Sequence, residues 1–438
     1  MEKYSSYKDS GVKWLGEIPS HWEVVSIKKI SNIILGKMLE NAPDDQGFPY
    51  LCAKDVHFDG VSYDDLKKML FSENEKKKYI VKKGDLLVVE GGAGGTCAII
   101  DKDIDDVYIQ NSLMIVRGFP NKVSNNYIFY ALSSLVKRGY ADSVCNKATI
   151  LHFTKEKLES TNIALAPLCE QIKIINYLDT VTSQIDVAIS QQKKMIELLN
   201  ERKQIIINNA VTKGLDPNVK MKDSGVEWIG EIPEHWDFCK LKHLTSIISK
   251  GTTPSTIGRD ILESGEIRFL KAENIVDNKV LKTPEFYIDE LTQKMLKRSN
   301  LYAGDILFVI AGATIGKVAV LPKELTPANT NQAISFIRIS NPENILYVFH
   351  VLQSNLTKKY IWQNAVQSAQ PNISMEDLGN IRIPLPPSLE QKNIIKYIEK
   401  KMTPIDNAIN AANKQISLLQ ERKQIIINEV VTGKVKVC

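Results

Sequence analysis

The segment with the strongest resemblance to a known catalytic or ligand-binding motif is Ala311-Gly-Ala-Thr-Ile-Gly316-Lys317. Its spacing nearly matches a phosphate-binding P-loop, in which backbone amides and a lysine hold phosphates while a following Ser or Thr binds magnesium. Here the first position is an alanine, and the residue after Lys317 is Val318, which has no oxygen to offer a metal. We therefore do not interpret the segment as a nucleotide site.

Catalytic signatures are weak elsewhere in the sequence. No Asn-Pro-Pro-aromatic or Asp-Pro-Pro-aromatic segment of an amino-methyltransferase occurs, and no nuclease-like carboxylate–lysine cluster stands out. His21 and His235 each precede a tryptophan and are interpreted as structural. The six cysteines are far apart and form no C-x-x-C pair, which argues against zinc sites and a disulfide framework. These observations predict a non-catalytic chain without a metal or cofactor of its own.

Length and charge set broad limits on the class of protein. The 438 residues are enough for two or more domains, each with its own core. A net charge of +5 permits a nucleic-acid partner without requiring one. No apolar run approaches the length of a membrane span, and the first residues do not resemble a signal peptide. We expect a soluble, cytoplasmic protein.

Two duplicated segments divide the sequence into halves. Glu201-Arg-Lys-Gln-Ile-Ile-Ile-Asn208 returns unchanged at 421–428, and the segment 9–22 recurs with few changes at 223–236. Between these markers both halves contain short β-prone runs, and a glycine cluster predicts a tight loop at 91–95 and at 312–316. The frame therefore repeats while the loops differ. Two recognition modules for different targets, or simple drift of a duplicated domain, would each produce this pattern.

Each half ends in a segment whose apolar residues follow a 3.5-residue spacing, which predicts a coiled-coil seam. Ser183 and Thr403 are predicted N-caps that separate a short helix from a long helix of about 29 residues, or roughly 43 Å. Pro404 then takes the first position of the second long helix, and Gly214 and Gly433 are the predicted stops. A polar helix with a narrow seam needs a partner, and the nearest one is its twin in antiparallel orientation. Lys203 and Lys423 within the seam favour register specificity or an external partner, although packing alone remains an alternative. The seam residues chosen as spacer and partner-binding positions are Ile189, Ile196, Leu199, Lys203, Ile206, Ile409, Ile416, Leu419, Lys423 and Ile426.

Several of these segments together resemble a known family. They are Trp14-Leu-Gly-Glu-Ile-Pro19-x-His-Trp22, the helix entry Pro384-Leu-Pro-Pro-x-x-Glu390-Gln391 and the repeated helix end described above, with Gly251-Thr-Thr-Pro-Ser255 and Gln370-Pro-Asn-Ile-Ser374. The combination resembles the specificity subunit of type I restriction–modification systems over nearly the whole chain.

This resemblance implies a function in host defence through DNA methylation and restriction. Two target-recognition domains would each read one half of a bipartite site in double-stranded DNA. The helices would set the gap between half-sites and bind two modification (methyltransferase) subunits, and restriction (translocase–nuclease) subunits would join that core. S-adenosylmethionine, ATP and Mg²⁺ would then be bound by the partner subunits. The tip at 146–152 differs from its counterpart at 367–372, so the two half-sites are expected to differ in sequence.

Base edges and phosphates are contacted by Arg, Lys, Asn, Gln, Ser and Thr side chains, and loop residues of these types are the candidates for DNA binding. They are Lys37, Lys54, Lys147, Thr149 and His152 in the first half, and Lys250, Thr252, Thr253, Ser255, Lys271, Asn274, Lys317, Gln367, Gln370 and Asn372 in the second. Each could equally be an ordinary solvated residue. The glycine loops could admit phosphate or simply form hairpin turns, and Lys76-Lys-Lys78 could contact phosphate or only solvent.

The predicted fold class is mixed α+β: two α/β target-recognition domains, separated by two long antiparallel coiled-coil-like helical regions, with a pseudo-twofold internal repeat. The predicted boundaries are 1–167, 168–215, 216–387 and 388–438, in the order recognition domain, spacer, recognition domain, spacer. Two other functions remain open at this point. One is a single-chain methyltransferase fused to recognition domains, and the other is a coiled-coil adaptor that does not bind DNA.

Overall fold

The fold is given by a computed structural model that describes residues 2–40, 47–144, 152–226, 229–364 and 372–437. The chain divides into two compact units, one formed by Met1–Lys193 with Asn413–Cys438 and the other by Lys194–Ala412. Each unit contains one mixed α/β domain and one end of each long helix. Among the described residues, no helix is both long and apolar enough to cross a membrane.

The first domain is built around an antiparallel four-stranded sheet. Its strands, in spatial order, are Cys97–Ile99, Leu86–Val89, Leu113–Gly118 and Ser31–Leu35. A three-stranded sheet consists of Tyr108–Ile109, Phe48–Leu51 and Lys67–Met69. Paired two-stranded segments are Tyr7–Asp9 with Glu17–Pro19, Glu23–Ser26 with Asn162–Leu165, and Val56–His57 with Gly60–Val61. The helices are Glu73–Tyr79, Asn125–Lys137, Tyr140–Val144 and Lys155–Ser160.

The second domain repeats this plan. Its four-stranded sheet has the spatial order Thr245–Lys250, Ile334–Ile339, Ile306–Val309 and Val318–Val320. Its three-stranded sheet consists of Tyr287–Ile288, Ile267–Leu270 and Ala328–Thr330. Paired segments are Met221–Asp223 with Glu231–Pro233, Asp237–Lys240 with Arg382–Leu385, and Ile275–Val276 with Lys279–Val280. The helices are Leu241–Leu244, Glu290–Met295, Ile345–Leu352, Asn355–Asn364 and Met375–Asn380.

Both four-stranded sheets are buried on two faces, which explains their uninterrupted apolar runs. In the first domain, Leu86 and Val88 face the core that includes the long helices, while Leu87 and Val89 face a separate core under the loops. This alternation follows from the two-residue period of a strand. A bidentate ion pair from Arg117 to Asp85, with N–O distances of 2.8 and 2.7 Å, is repeated by Arg338 and Asp305 at the same distances.

The long helices are continuous, which contradicts the predicted break. They span Leu168–Lys213, with 46 residues, and Ser388–Val431, with 44. Ser183 and Thr403 are helix-interior residues and not N-caps, and the Thr403 hydroxyl donates to the Glu399 carbonyl at 2.9 Å. The helix also continues through Pro404. Burial of Ile398 and Ile405 on either side of that proline ties both flanks to the core, and this packing outweighs the local signals to stop.

Helix length is corrected as a result. At 1.5 Å per residue the helices measure about 69 and 66 Å, and not the roughly 43 Å estimated from the sequence. The predicted stops are confirmed: Gly214 and Gly433 follow the helix ends with φ of +71° each. The predicted seam is also confirmed, because its positions are buried or half-buried between exposed neighbours along both helices.

Within each unit the two helix ends run antiparallel and share an ion pair. In the unit of the second domain, the Lys203 ammonium donates a hydrogen bond to Asp406 Oδ1. In the unit of the first domain, the Lys423 ammonium lies 2.7 and 2.6 Å from the carboxylate oxygens of Asp186. Each aspartate stands three residues after a predicted N-cap, yet it pairs with the seam lysine of the other helix.

A tryptophan fastens the helix ends in each unit, and we call this contact the tryptophan joint. In the first joint, Trp22 Nε1 donates to Glu170 Oε2 at 3.1 Å and His21 Nε2 lies 2.8 Å from Glu170 Oε1. Gly433, at the end of the other helix, packs against the same indole. The second joint repeats this arrangement with Trp236, His235 and Glu390 at 3.1 and 2.9 Å, next to Gly214.

The joints differ in how closely their glycines pack. A Cβ on Gly433 would lie 2.3 Å from Pro19 Cδ, whereas a Cβ on Gly214 would have its nearest neighbour at 3.1 Å. Both substitutions place a Cβ on a left-handed residue, which costs about 1–2 kcal/mol, and overpacking adds about 1–3 kcal/mol at Gly433. We therefore expect Gly433→Ala to lower the midpoint of thermal unfolding more than Gly214→Ala, as measured by calorimetry. Equal losses would contradict this account of the joint.

Candidate nucleic-acid interface

Four segments of the second domain meet at one end of its four-stranded sheet, and we call this the second loop edge. Gly251 N donates to Ile334 O at 3.1 Å, and Thr252 N donates to Thr330 O at 2.9 Å. Ile310 links two more segments, because its N–H donates to Ala333 O at 2.9 Å and its carbonyl accepts from Ile373 N at 3.0 Å. Loops far apart in the sequence therefore form one continuous surface.

The first domain has an equivalent first loop edge. Gly36 N donates to Leu113 O at 3.0 Å and Glu90 N donates to Ser112 O at 2.8 Å. Phe153 N donates to Glu90 O at 2.7 Å, which attaches the segment at 152–153 as Ile373 does in the second domain. The isolated bridges Gly91–His152 and Ala311–Asn372 occupy matching positions at the two edges.

Glycines permit the close approach of these segments. A Cβ on Gly36 would lie 2.4 Å from the Gln110 carbonyl oxygen, and one on Gly251 would lie 2.0 Å from that of Thr330. The glycine clusters form the predicted tight loops: antiparallel strands flank both, and Gly92 and Gly316 have φ of +83° and +86°. The hairpin interpretation of these clusters is confirmed, and phosphate approach to them stays a prediction.

The second loop edge gathers most of its predicted residues. Lys250, Ser255 and Asn372 are exposed, and Thr252, Thr253 and Lys317 are half-buried. The Thr253 hydroxyl donates a hydrogen bond to Oε1 of Gln332. Gln332 is an exposed residue that is not among the sequence-based candidates. A signal for it exists in the sequence, because an Asn-Gln or Gln-Asn pair precedes the same strand in both halves. Gln367 and Gln370 lie outside the described residues.

The side chains of Asn274 and Lys271 make their contacts inside the second domain. Asn274 is fully buried, its Oδ1 accepts from Lys271 N at 3.0 Å, and its Nδ2 donates to Pro284 O at 2.8 Å. The prediction that Asn274 faces a ligand is therefore wrong, because its amide is used to hold a backbone turn. The Lys271 ammonium lies over the Phe286 ring, 3.4 Å from its centroid.

Lys37 at the first loop edge is neutralised by acids. Its ammonium lies 2.6 Å from Glu40 Oε2 and 2.8 Å from Glu75 Oε2, with 12% of the side chain exposed. Burial lowers the pKa of Lys37, but the hydrogen bonds with Glu40 and Glu75 outweigh it and raise the pKa overall. A paired lysine attracts phosphate weakly, so Lys37 is not the free cation expected from the sequence.

The remaining first-edge predictions are less concentrated. Lys54 is exposed and lies 3.7 Å from Asp55, and His152 is exposed beside Gly91. Lys147 and Thr149 lie outside the described residues. Burial raises the pKa of Glu90, next to His152. At this edge Gln110 Nε2 donates to Asn111 Oδ1 at 2.6 Å. Neither residue is among the sequence-based candidates.

No group of three or more potential metal ligands occurs in the described parts of the chain. The edges instead present amides, hydroxyls and lysines, which are the groups that proteins use to contact base edges and phosphates.

Comparison with known proteins decides the family. The model of the type I restriction modification DNA specificity domain matches residues 19–198 and again residues 233–419. The chain belongs to this family. Each match contains one loop edge.

Individual specificity subunits are similar over almost their full length. The type I restriction enzyme MjaVIII specificity subunit of Methanocaldococcus jannaschii is 29% identical over 446 aligned positions, which cover 98% of this chain and 97% of that protein. The EcoBI specificity subunit of Escherichia coli is 23% identical, covering 97% and 89%. The relatives are the specificity subunits of their systems, and the expectation of a non-catalytic chain agrees with this.

A solved structure supports the fold. A chain from a structure described as concerning complex assembly and conformational transition of the type I R-M system matches with a TM-score of 0.68. The match covers 95% of this chain and 99% of that chain, and the two sequences are 15% identical. The predicted mixed α/β architecture with two duplicated domains and a long intervening helix is confirmed.

The pairing of Lys37 can be tested by titration. The hydrogen bond from Lys37, followed by those from Ser72, lowers the pKa of Glu75 to about 2 from a usual 4.5. The stability that Glu75 contributes is therefore present above pH 4.5 and is lost as the pH falls towards 2. In Lys37→Met we expect the pKa of Glu75 to rise towards 4.5, as measured by carbon-detected NMR of labelled glutamate. Glu73, whose lowered pKa depends on Lys76, is the internal control and should not move. An unchanged Glu75 would refute the pairing.

Proposed function

We propose that this chain is the DNA-reading subunit of a type I restriction–modification complex, in which each loop edge reads one half of a bipartite site. The observation that carries the proposal is the equivalence of the two edges. They have the same frame of backbone hydrogen bonds, but Gln110-Asn111 and His152 on the first correspond to Asn331-Gln332 and Asn372 on the second. Equal frames with unlike polar side chains suit two half-sites of unlike sequence.

The long helices complete the proposal as a spacer. They would hold the two domains at a set separation and bind two methyltransferase subunits, to which restriction subunits are added. Two exposed apolar residues one heptad apart on each helix, Leu198 with Ile205 and Leu418 with Ile425, support a partner on the outer helix surface. S-adenosylmethionine, ATP and Mg²⁺ would be bound by those partner subunits, because catalysis is expected there.

The spacer can be tested by lengthening both helices by one heptad, inserted after Met195 and after Gln415. A heptad preserves the seam and adds about 10.5 Å, or roughly three base pairs. We expect methylome sequencing of cells that contain the variant and its methyltransferase partner to show a gap longer by about three base pairs. Methylation should be weaker, since the duplex also rotates one half-site relative to the other.

The matched control inserts seven glycine and serine residues after Asp216, in the loop that follows the first long helix. This control leaves both helices at their natural length, so its gap should not change. If the heptad variant methylates DNA with the original gap, the helices do not set it.

Reading by one edge can be tested at Gln332. We expect Gln332→Ala to relax base preference in one half of the methylated motif only, with a loss of about 1–3 kcal/mol at the affected base pair. The other half-site should be read as before, because the first loop edge belongs to the other unit. Lys323→Gln, at the opposite end of the same sheet, is the control. Relaxation of both halves together, or of neither, would contradict separate reading.

A further inference from the structure

The helix Asn355–Asn364, here called the tryptophan helix, presents an aromatic and basic surface beside the second loop edge. Trp362 is 64% exposed, which is unusual for so large an apolar side chain. Together with Asn355, Lys358, Lys359 and Gln363 it lines a shallow depression of about 440 Å³. All five residues have hydrogen-bond donors, and none is acidic.

Lys358 lies on this surface, and no carboxylate in the described parts of the chain forms an ion pair with it. Its side chain reaches solvent, yet partial burial of the ammonium group lowers its pKa, and no carboxylate of the described residues contributes to that shift. Its position contrasts with that of Lys37, which two glutamates neutralise. A lysine that has lost some of its water and gained no acid favours an incoming anion, because the anion restores the interactions of the ammonium group.

The tryptophan helix packs directly against the second glycine loop. A Cβ on Gly316 would lie 3.3 Å from the side chain of Ile361, and Asn372, which follows the helix in the sequence, bridges Ala311 in that loop. The tryptophan helix therefore adjoins the second loop edge.

The surface differs from its counterpart in the first domain at the position of Trp362. Tyr140 and Tyr360 occupy equivalent positions in the two domains, and both are largely buried. Two residues further on, the first domain has Asp142 where the second has Trp362. The corresponding depression of the first domain, of about 450 Å³, is also basic, since Lys13, Trp14 and Arg138 line it. What is particular to the second domain is the exposed indole of Trp362 in place of a carboxylate that would repel phosphate.

We propose that the tryptophan helix binds the sugar–phosphate backbone of double-stranded DNA outside the half-site read by the second loop edge. Lys358 and Lys359 pair with phosphates, and the Trp362 indole packs on deoxyribose. This proposal rests on the proposed function and adds a contact that supplies affinity without base preference.

The test uses the full chain in complex with its methyltransferase subunits and a duplex that carries the methylated site. Each backbone lysine contributes about one unit to the slope of log affinity against log salt. We expect Lys358→Gln/Lys359→Gln to reduce this slope by about two and to leave the methylated motif unchanged. Trp362→Ala should weaken binding about three- to tenfold at all sequences. Fluorescence anisotropy at several salt concentrations measures both effects.

The matched control is Lys242→Gln/Lys323→Gln, which removes two exposed lysines at the opposite end of the same sheet and should leave the slope unchanged. If the tryptophan-helix variants keep the wild-type slope and affinity, the proposal is wrong while the proposed function stands. If they instead fail to assemble with the methyltransferase subunits, the surface is a protein interface, and the proposal is also wrong. A wild-type complex that does not bind the duplex at low salt would overturn both.

Discussion

Contact between the two long helices is the constraint on which the rest of the fold depends. Each helix is mainly polar, with a narrow row of apolar side chains, and such a helix is not stable alone in water. Burial of Ile174 and Ile427 in the first unit, and of Ile207 and Ile398 in the second, provides part of the missing stabilisation. Because the same cores include the sheets, neither domain packs independently of the helix ends beside it.

The tryptophan joints show how a short sequence signature can fix the position of a distant segment. Trp22 and Glu170 are far apart in the sequence, yet their hydrogen bond sets where the first long helix begins relative to its domain. The helix end at Gly433 then packs on the same indole. One aromatic side chain therefore links the beginning of one helix to the end of the other. Its repetition at Trp236 explains why the segment around each tryptophan is among the best-preserved parts of the internal duplication.

The duplication, the strands beside the glycine loops and the helix seam could all be predicted because they depend on local spacing. The stops at Gly214 and Gly433 are of the same kind. The continuity of the long helices could not be predicted, because Ser183, Thr403 and Pro404 are local stop signals that distant packing overrides. The neutralisation of Lys37 by Glu75 and the burial of Asn274 are likewise tertiary facts. For this reason, predictions of binding residues that rest on residue type alone are the least reliable.

The ion pairs between the helices also decide which arrangement of two nearly identical helices is favourable. Lys203 and Lys423 occupy equivalent places in the duplicated sequence, as do Asp186 and Asp406. In the antiparallel arrangement each lysine meets an aspartate. Side by side in parallel, with matching residues level, lysine would face lysine and aspartate would face aspartate. The same four charges therefore stabilise the antiparallel orientation and destabilise the parallel one. The apolar seam alone would not specify this choice, because it is nearly the same in both helices.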